Sequence, residues 1–256
     1  MKLEFDDKLI AGYKSASQIA RVLTENWVDE SAFCPNCGHV EINKYQNNKP
    51  VGDFYCANCK EDYELKSKKD SVGLKIVDGA YRTMIERLTS SNNPNFFLLS
   101  YRPLSYDVIN FFVIPKHFFV PSIIEKRKPL AQTARRAGWV GCNILLKHIP
   151  ETGKIFYVRD RKTEPKQKVL DEWKKTLFLR EEKEISAKGW LLDVMNCVDK
   201  INKKDFALDD VYTFSDELSI LHPDNKHIKD KIRQQLQVLR DKGYLEFKGR
   251  GKYKVS

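Results

Sequence analysis

Residues 48–68, NKPVGDFYCANCKEDYELKSK, decide the fold, because they predict a β-hairpin whose turn carries two cysteines. Two strand-like runs, residues 51–55 and 63–67, flank the Cys56-x-x-Cys59 turn. Glu64 and Lys66 are two residues apart, so they share one face of a strand. If the hairpin folds back symmetrically about this turn, Asp53 comes opposite Glu64. The stretch then holds two carboxylates and one ammonium group close together.

Two close carboxylates do not stabilise a fold by themselves, so such a cluster indicates a metal site. Adjacent carboxylates repel, and one pKa rises unless a cation lies between them. Carboxylate oxygens suit Mg²⁺, and a divalent ion can activate a water and stabilise charge on a transferring phosphate. In that reading Lys66 holds the attacking water or neutralises the phosphate. The bare pattern is also met by chance, and a solvated charged hairpin stays open as the alternative.

Four cysteines predict a zinc ion beside this hairpin. Cys34-x-x-Cys37 precedes Cys56-x-x-Cys59 at the spacing of a zinc ribbon with four thiolate ligands. Two disulfides are the alternative. The N-terminus, MKLEFDDKLI, does not read as a secretion signal, and disulfides are rare in the cytosol. We therefore expect a structural Zn²⁺ with no open coordination position, which fixes the hairpin register. His39 is expected at the surface.

Several long stretches carry a family resemblance: CPNCG, FYCANC, YELKSKK, DGAYRTM, NNPNFF, RKPLAQTARRAGWVGCNI, HIKDKIRQQLQVLRDK and FKGRGKYK. Through them the chain resembles, nearly end to end, the DpnI-like methyl-directed type II restriction endonucleases. The resemblance implies a PD-(D/E)xK nuclease with a C-terminal winged helix. It makes Asp53, Glu64 and Lys66 the catalytic set, with the backbone carbonyl of Leu65 as a further Mg²⁺ ligand. The proline of the class signature departs from the pattern, since Pro50 stands three residues before Asp53.

Composition is consistent with a nucleic-acid partner. The chain has 256 residues, which is enough for one large or two modest domains. Its formal net charge is +10, which favours a polyanionic partner. Residues 225–256 contain 10 Lys or Arg against 3 Asp or Glu, so most of the excess charge lies in the last eighth of the chain. No apolar run is long enough to predict a membrane span. We expect a monomeric protein of the bacterial cytoplasm.

The element pattern predicts an α/β restriction-endonuclease-like domain over residues 1–183. Strands are expected at 96–101, 108–114 and 155–158, and a helix at 78–88. A charged stretch without apolar periodicity, residues 180–188, marks the domain boundary. Residues 184–256 predict a winged helix, with helices at 189–201, 208–221 and 226–242 followed by a hairpin around a Gly-Arg-Gly turn.

Residues 126–141, KRKPLAQTARRAGWVG, form a basic loop that is a candidate for DNA binding. Basic side chains bind phosphates and position a protein on DNA. By the resemblance, Arg135 and Arg136 grip the DNA and Trp139 sits against the methyl groups of N6-methyladenine. The alternative is a tryptophan that closes the core.

The winged helix supplies the second set of candidates. Its third helix would lie in the major groove, and its wing would contact the DNA backbone. Glutamine can pair with adenine N6 and N7, although an exposed glutamine pair also fits a solvated helix face. The candidates are Lys226, Arg233, Gln234 and Gln237 on the helix and Lys248, Arg250 and Lys252 on the wing.

Together these features predict a methylation-dependent restriction endonuclease that cleaves double-stranded DNA at GATC carrying N6-methyladenine. The GATC site comes from the resemblance. A zinc-stabilised winged-helix regulator without nuclease activity is the main alternative. A repair nuclease of the same class, which would ignore methylation, is the second.

Overall fold

The computed structural model describes residues 1–46, 52–88, 90 and 93–256. It divides into two compact units, which are described separately. The first comprises Met1–Lys147 with Thr152–Thr176, and the second comprises His148–Glu151 with Leu177–Ser256. Among the described residues, no helix is both long and apolar enough to span a membrane.

The first unit combines helices with two sheets. Its helices are α1 Ala16–Ser31, α2 Tyr81–Leu88 and α3 Lys166–Thr176. Its strands are β1 Asn43–Lys44, β2 Phe54–Tyr55, β3 Asp62–Lys69, β4 Lys75–Ala80, β5 Asn95–Tyr101, β6 Val108–Ile114, β7 Ile124–Lys126, β8 Gly141–Leu145, β9 Ile155–Arg159 and β10 Lys162–Thr163.

The larger sheet has seven strands in the order β1-β2-β3-β5-β6-β9-β10. The β3–β5 pair is parallel and the other pairs are antiparallel, which makes the sheet mixed. Every residue of β5 is buried, because its near-continuous apolar sequence is covered on both faces. Helix α1 adds Leu23, Trp27 and Val28 to the core. The predicted α/β class is confirmed.

The hairpin of β2 and β3 has the predicted register. Phe54 pairs with Tyr63 and Tyr55 with Asp62, and continuing this ladder by one residue brings Asp53 opposite Glu64. Gly52 permits the close approach of the two arms of the hairpin, because a Cβ there would lie 2.8 Å from the carbonyl oxygen of Tyr63. Pro50 and the start of the predicted first strand, Val51, lie outside the described residues.

The smaller sheet has the order β4-β8-β7, and here one prediction is wrong. Residues 78–80 belong to strand β4, and helix α2 begins at Tyr81. The reason is a short alternation that a helical reading overlooks. Burial alternates along β4: Lys75 and Val77 are exposed, and Ile76 and Asp78 are buried.

The second unit contains helices α4 Phe178–Glu181, α5 Ile185–Ile201, α6 Leu208–Tyr212, α7 Ser215–Leu221 and α8 Ile228–Asp241, with strands β11 Asp205–Ala207, β12 Leu245–Gly249 and β13 Lys252–Val255. The strands form a sheet in the order β11-β13-β12. Residues 208–221 are two helices rather than the single predicted one. The Gly-Arg-Gly turn forms as expected, with positive φ at Gly249 and Gly251, which glycine adopts without strain.

Candidate functional site

Four cysteine side chains converge at the turn of the hairpin. The sulfur atoms of Cys34, Cys37, Cys56 and Cys59 all lie within 4.8 Å of one another. Cys34 Sγ is 3.4 Å from Cys59 Sγ, and Cys37 Sγ is 3.6 Å from Cys56 Sγ. Tetrahedral Zn–S bonds of about 2.3 Å require sulfurs roughly 3.8 Å apart. The cluster therefore has the dimensions of a zinc site and could bind that ion.

Both pairs of cysteines are presented by the same backbone turn. The N–H of Gly38 donates to the carbonyl of Cys34, and the N–H of Lys60 donates to the carbonyl of Cys56, each at 2.9 Å. Gly38 and Lys60 both have positive φ, directly after the second cysteine of each pair. This turn points the two sulfurs of each pair to one side, as a shared metal ion requires.

The thiols differ in how readily they ionise. Burial raises the pKa of Cys34. Burial acts in the same direction at Cys37, but hydrogen bonds from the Asn58 side chain and the His39 backbone outweigh it and lower the pKa to about 7. All six cysteines of the chain are free thiols. Zn²⁺ binds the thiolate form of cysteine, so a thiol with a lowered pKa, such as Cys37, suits this ion.

The acidic cluster flanks the turn that carries Cys56 and Cys59: Asp53 directly precedes β2, and Glu64 and Lys66 lie on β3. Asp53 Oδ2 accepts a 2.7 Å hydrogen bond from the backbone N–H of Leu65. Lys66 Nζ lies 2.6 Å from Glu64 Oε1. The side chains of Glu64 and Lys66 are largely buried, at 16% and 22% exposure. The fold thus brings together the three residues that the sequence singled out.

The surroundings shift the pKa of both Asp53 and Lys66. Burial raises the pKa of Asp53, and the negative charge of Glu64 raises it further, against the hydrogen bond from Leu65. Burial lowers the pKa of Lys66, but the carboxylates of Glu64 and Asp78 outweigh it and hold that pKa above its usual value. Perturbed carboxylates of this kind mark candidate functional sites.

Two further residues enter the cluster that sequence reasoning missed. Asp78, on β4, places Oδ1 2.5 Å from Lys66 Nζ. Arg87, in the last turn of α2, places Nη1 3.1 Å from Glu64 Oε2. The sequence signals for Asp78 were its place at the start of the DGAYRTM stretch and the inward alternation of β4. Nothing in the sequence distinguishes Arg87 from other helical arginines.

The donors around Asp53 are of the type that Mg²⁺ prefers. Besides the Asp53 and Glu64 carboxylates, we expect the Leu65 carbonyl on this side. The N–H and C=O of one residue in an extended strand point to the same edge, and the Leu65 N–H points to Asp53. Two carboxylates and a carbonyl are hard oxygen ligands, so these residues fit a divalent ion of that kind.

The basic loop of residues 127–140 connects β7 and β8. It closes through backbone hydrogen bonds from Arg127 to Gly141 and from Leu130 to Trp139, at 3.0 and 2.9 Å. Arg135 and Arg136 are exposed and line one cavity, of about 640 Å³. Trp139 is half-buried, and its ring lies against Gly141, where a Cβ would be 2.8 Å from it. The guanidinium of Arg136 lies 4.9 Å from the Trp139 ring centroid.

The candidate DNA contacts of the second unit are all on its surface. On α8 the buried positions include Ile232 and Leu236, and the candidates lie on the exposed face. The exposed candidates are Lys226, Arg233, Gln234, Gln237, Lys248, Arg250 and Lys252. Some of them are already paired within the unit. Gln234 Oε1 accepts from Lys231 at 2.9 Å, and Lys248 Nζ lies 2.5 Å from Glu246 Oε2.

Two protein-family models match the chain. The model described as DpnI, Dam-replacing family, matches residues 1–182. The model described as DpnI_C, Dam-replacing HTH domain, matches residues 186–255. The resemblance expected from the sequence motifs is thereby confirmed.

Proposed function

The chain belongs to the DpnI, Dam-replacing family, and from that membership we propose that it is a methylation-dependent restriction endonuclease. Its substrate would be double-stranded DNA with N6-methyladenine in GATC. In this proposal residues 1–183 contain the nuclease and residues 184–256 a second DNA reader. The observation that supports this proposal most is that Asp53, Glu64 and Lys66 lie close together on one hairpin in a chain of this family.

Each member of the cluster would have a separate task. Asp53, Glu64 and the Leu65 carbonyl would hold Mg²⁺. When bound, this ion supplies charge that stabilises the phosphate and lowers the pKa of water. Lys66, held protonated by its carboxylate neighbours, would orient the attacking water or neutralise a phosphate oxygen. Attack of this water on the phosphorus, in line with the leaving 3′ oxygen, would leave a 5′-phosphate and a 3′-hydroxyl.

Recognition would use both units. Arg135 and Arg136, exposed on the β7–β8 loop, would contact phosphates, with Trp139 against the methylated base. In the winged helix, Gln234 or Gln237 would face adenine, with Arg233 and Lys226 nearby. Lys248, Arg250 and Lys252 would contact the DNA backbone from the wing. N6-methylation leaves one N6 donor on adenine, so a glutamine contact and an apolar neighbour can both be satisfied.

The proposal is tested with one plasmid, prepared with and without adenine methylation at GATC and incubated with the protein and Mg²⁺. Fragments from the methylated form alone are the expected result. Cutting of both forms would support nuclease activity but contradict its dependence on methylation, as expected for a repair nuclease. Binding without cutting of either form would favour a zinc-stabilised winged-helix regulator.

A further inference from the structure

Asp78 is a buried carboxylate at the candidate nuclease centre that lies outside the Asp-Glu-x-Lys set. Its side chain is 5% exposed, and its Oδ1 contacts Lys66 Nζ at 2.5 Å. It comes from β4 of the smaller sheet, whereas Lys66 comes from β3 of the larger one. Lys66 Nζ is therefore held by two carboxylates on separate sheets, Glu64 and Asp78.

Glu64 alone is poorly placed to hold Lys66. One of its oxygens faces Lys66, and the other faces Arg87 at 3.1 Å. A divalent ion at Glu64 would have to compete with both cations. A second carboxylate on Lys66 relieves this competition, because the ammonium keeps a partner when Glu64 turns to the metal.

The charges point the same way. Asp53 and Glu64 carry two negative charges, and Lys66 and Arg87 carry two positive charges, so these four sum to zero. Asp78 brings the five residues to −1. A divalent cation binds more favourably to a cluster of net negative charge than to a neutral one, above all where water is partly excluded.

We propose that Asp78 is the positioning residue of this centre: it anchors Lys66 from the second sheet and leaves Glu64 free to bind the divalent ion. The inference rests on the proposed nuclease function. It concerns Lys66 and metal affinity rather than DNA binding, although β4 pairs with β8, at the base of the Arg135–Arg136 loop.

The variant Asp78→Asn tests this directly. We expect the Mg²⁺ concentration for half-maximal single-turnover cleavage to rise about tenfold or more, the usual loss when a group supporting a metal ligand is removed. Calorimetry should show a similar loss in Ca²⁺ affinity for the complex with methylated DNA, and Asp78→Glu should restore most of it. DNA affinity without added divalent cation should stay within about twofold.

The matched control is Asp70→Asn, the same change at an exposed residue just after β3, whose positive φ asparagine accepts. It should leave Mg²⁺ dependence unaltered. Wild-type Mg²⁺ dependence in Asp78→Asn would overturn the proposal. A loss of DNA affinity matching the loss of cleavage would overturn it too, because Asp78 would then act through the loop.

A stability measurement keeps the inference testable if Asp78→Asn folds poorly or the wild-type protein does not cut DNA. Lys66→Met should lower the melting temperature by roughly 5 °C or more, because Asp78 is then a buried carboxylate without its cation. Adding Asp78→Asn in that background should recover part of the loss. Simple additivity of the two changes would show that the two side chains do not depend on each other.

Discussion

The phenolic oxygen of Tyr63 lies 3.2 Å from Sγ of Cys34, so the four-cysteine cluster contacts the strand that carries the acidic residues. Tyr63 directly precedes Glu64, and its carbonyl accepts a 2.9 Å hydrogen bond from the backbone N–H of Asp53. Its ring is fully buried and stacked on Phe97, with centroids 4.5 Å apart. One residue thus joins the proposed zinc site to both strands of the candidate nuclease centre.

Tyr63→Phe should weaken zinc binding, because a hydrogen bond to a ligand thiolate is lost while the ring packing stays. Loss of such a supporting contact lowers metal affinity by about 10- to 100-fold. Competition with a chromogenic chelator measures it. Tyr45→Phe is the control, since the Tyr45 hydroxyl donates a hydrogen bond to the Asp62 carboxylate on the same hairpin. Equal zinc affinity in Tyr63→Phe and the wild type would contradict the contact.

Cys56→Ser should lower the melting temperature and the cleavage rate together. A zinc ion on this cluster would hold the turn between β2 and β3, and the binding free energy of a structural zinc is also folding free energy. Thermal unfolding and zinc content by elemental analysis provide the measurement. The wild type stripped with a chelator should resemble the variant. An unaltered melting temperature would argue against a structural ion.

Asp53→Asn should reduce cleavage of methylated DNA by at least about a hundredfold, because a proposed Mg²⁺ ligand worth several kcal/mol in the transition state is lost. Affinity for methylated DNA, measured in gel shifts, should remain near wild type, since Asp53 faces Leu65 within the hairpin. Cleavage at the wild-type rate would remove Asp53 from the centre.

The same substitution should stabilise the protein when no divalent ion is present. Burial and Glu64 raise the pKa of Asp53, so the folded state holds its proton more tightly than the unfolded state. Ionised Asp53 therefore costs stability above its folded pKa, and the cost disappears as pH falls below the unfolded value, near 3.8. We expect Asp53→Asn to melt about 2–4 °C higher at neutral pH. A gain that persists at low pH would assign it to another cause.

Arg250→Ala should weaken DNA binding equally for methylated and unmethylated duplexes. Arg250 is exposed at the tip of the wing, where it would neutralise a phosphate rather than read a base. The slope of log affinity against log salt concentration should fall by about 0.9. Arg250→Lys, which keeps the charge, is the control. A loss restricted to methylated DNA would make Arg250 a specificity residue.

The principal errors of sequence reasoning lie where side chains meet across distant elements. Residues 78–80 looked helical, since the alternation of β4 is short and contains Gly79. The role of that alternation became visible only in the sheet, where β4 pairs with β8. Arg87 reaches Glu64 from a separate helix, and no local pattern encodes that approach.

The sequence by itself determined the features that depend on short spacing: the two Cys-x-x-Cys turns, the hairpin that places Asp53 opposite Glu64, and the Gly-Arg-Gly turn near the end of the chain. These follow from local backbone geometry, in which a few residues set the direction of each side chain. The tertiary structure alone decided that Asp78 and Arg87 join Glu64 and Lys66. Such contacts depend on how a second sheet and a helix pack, and packing is set by the whole chain.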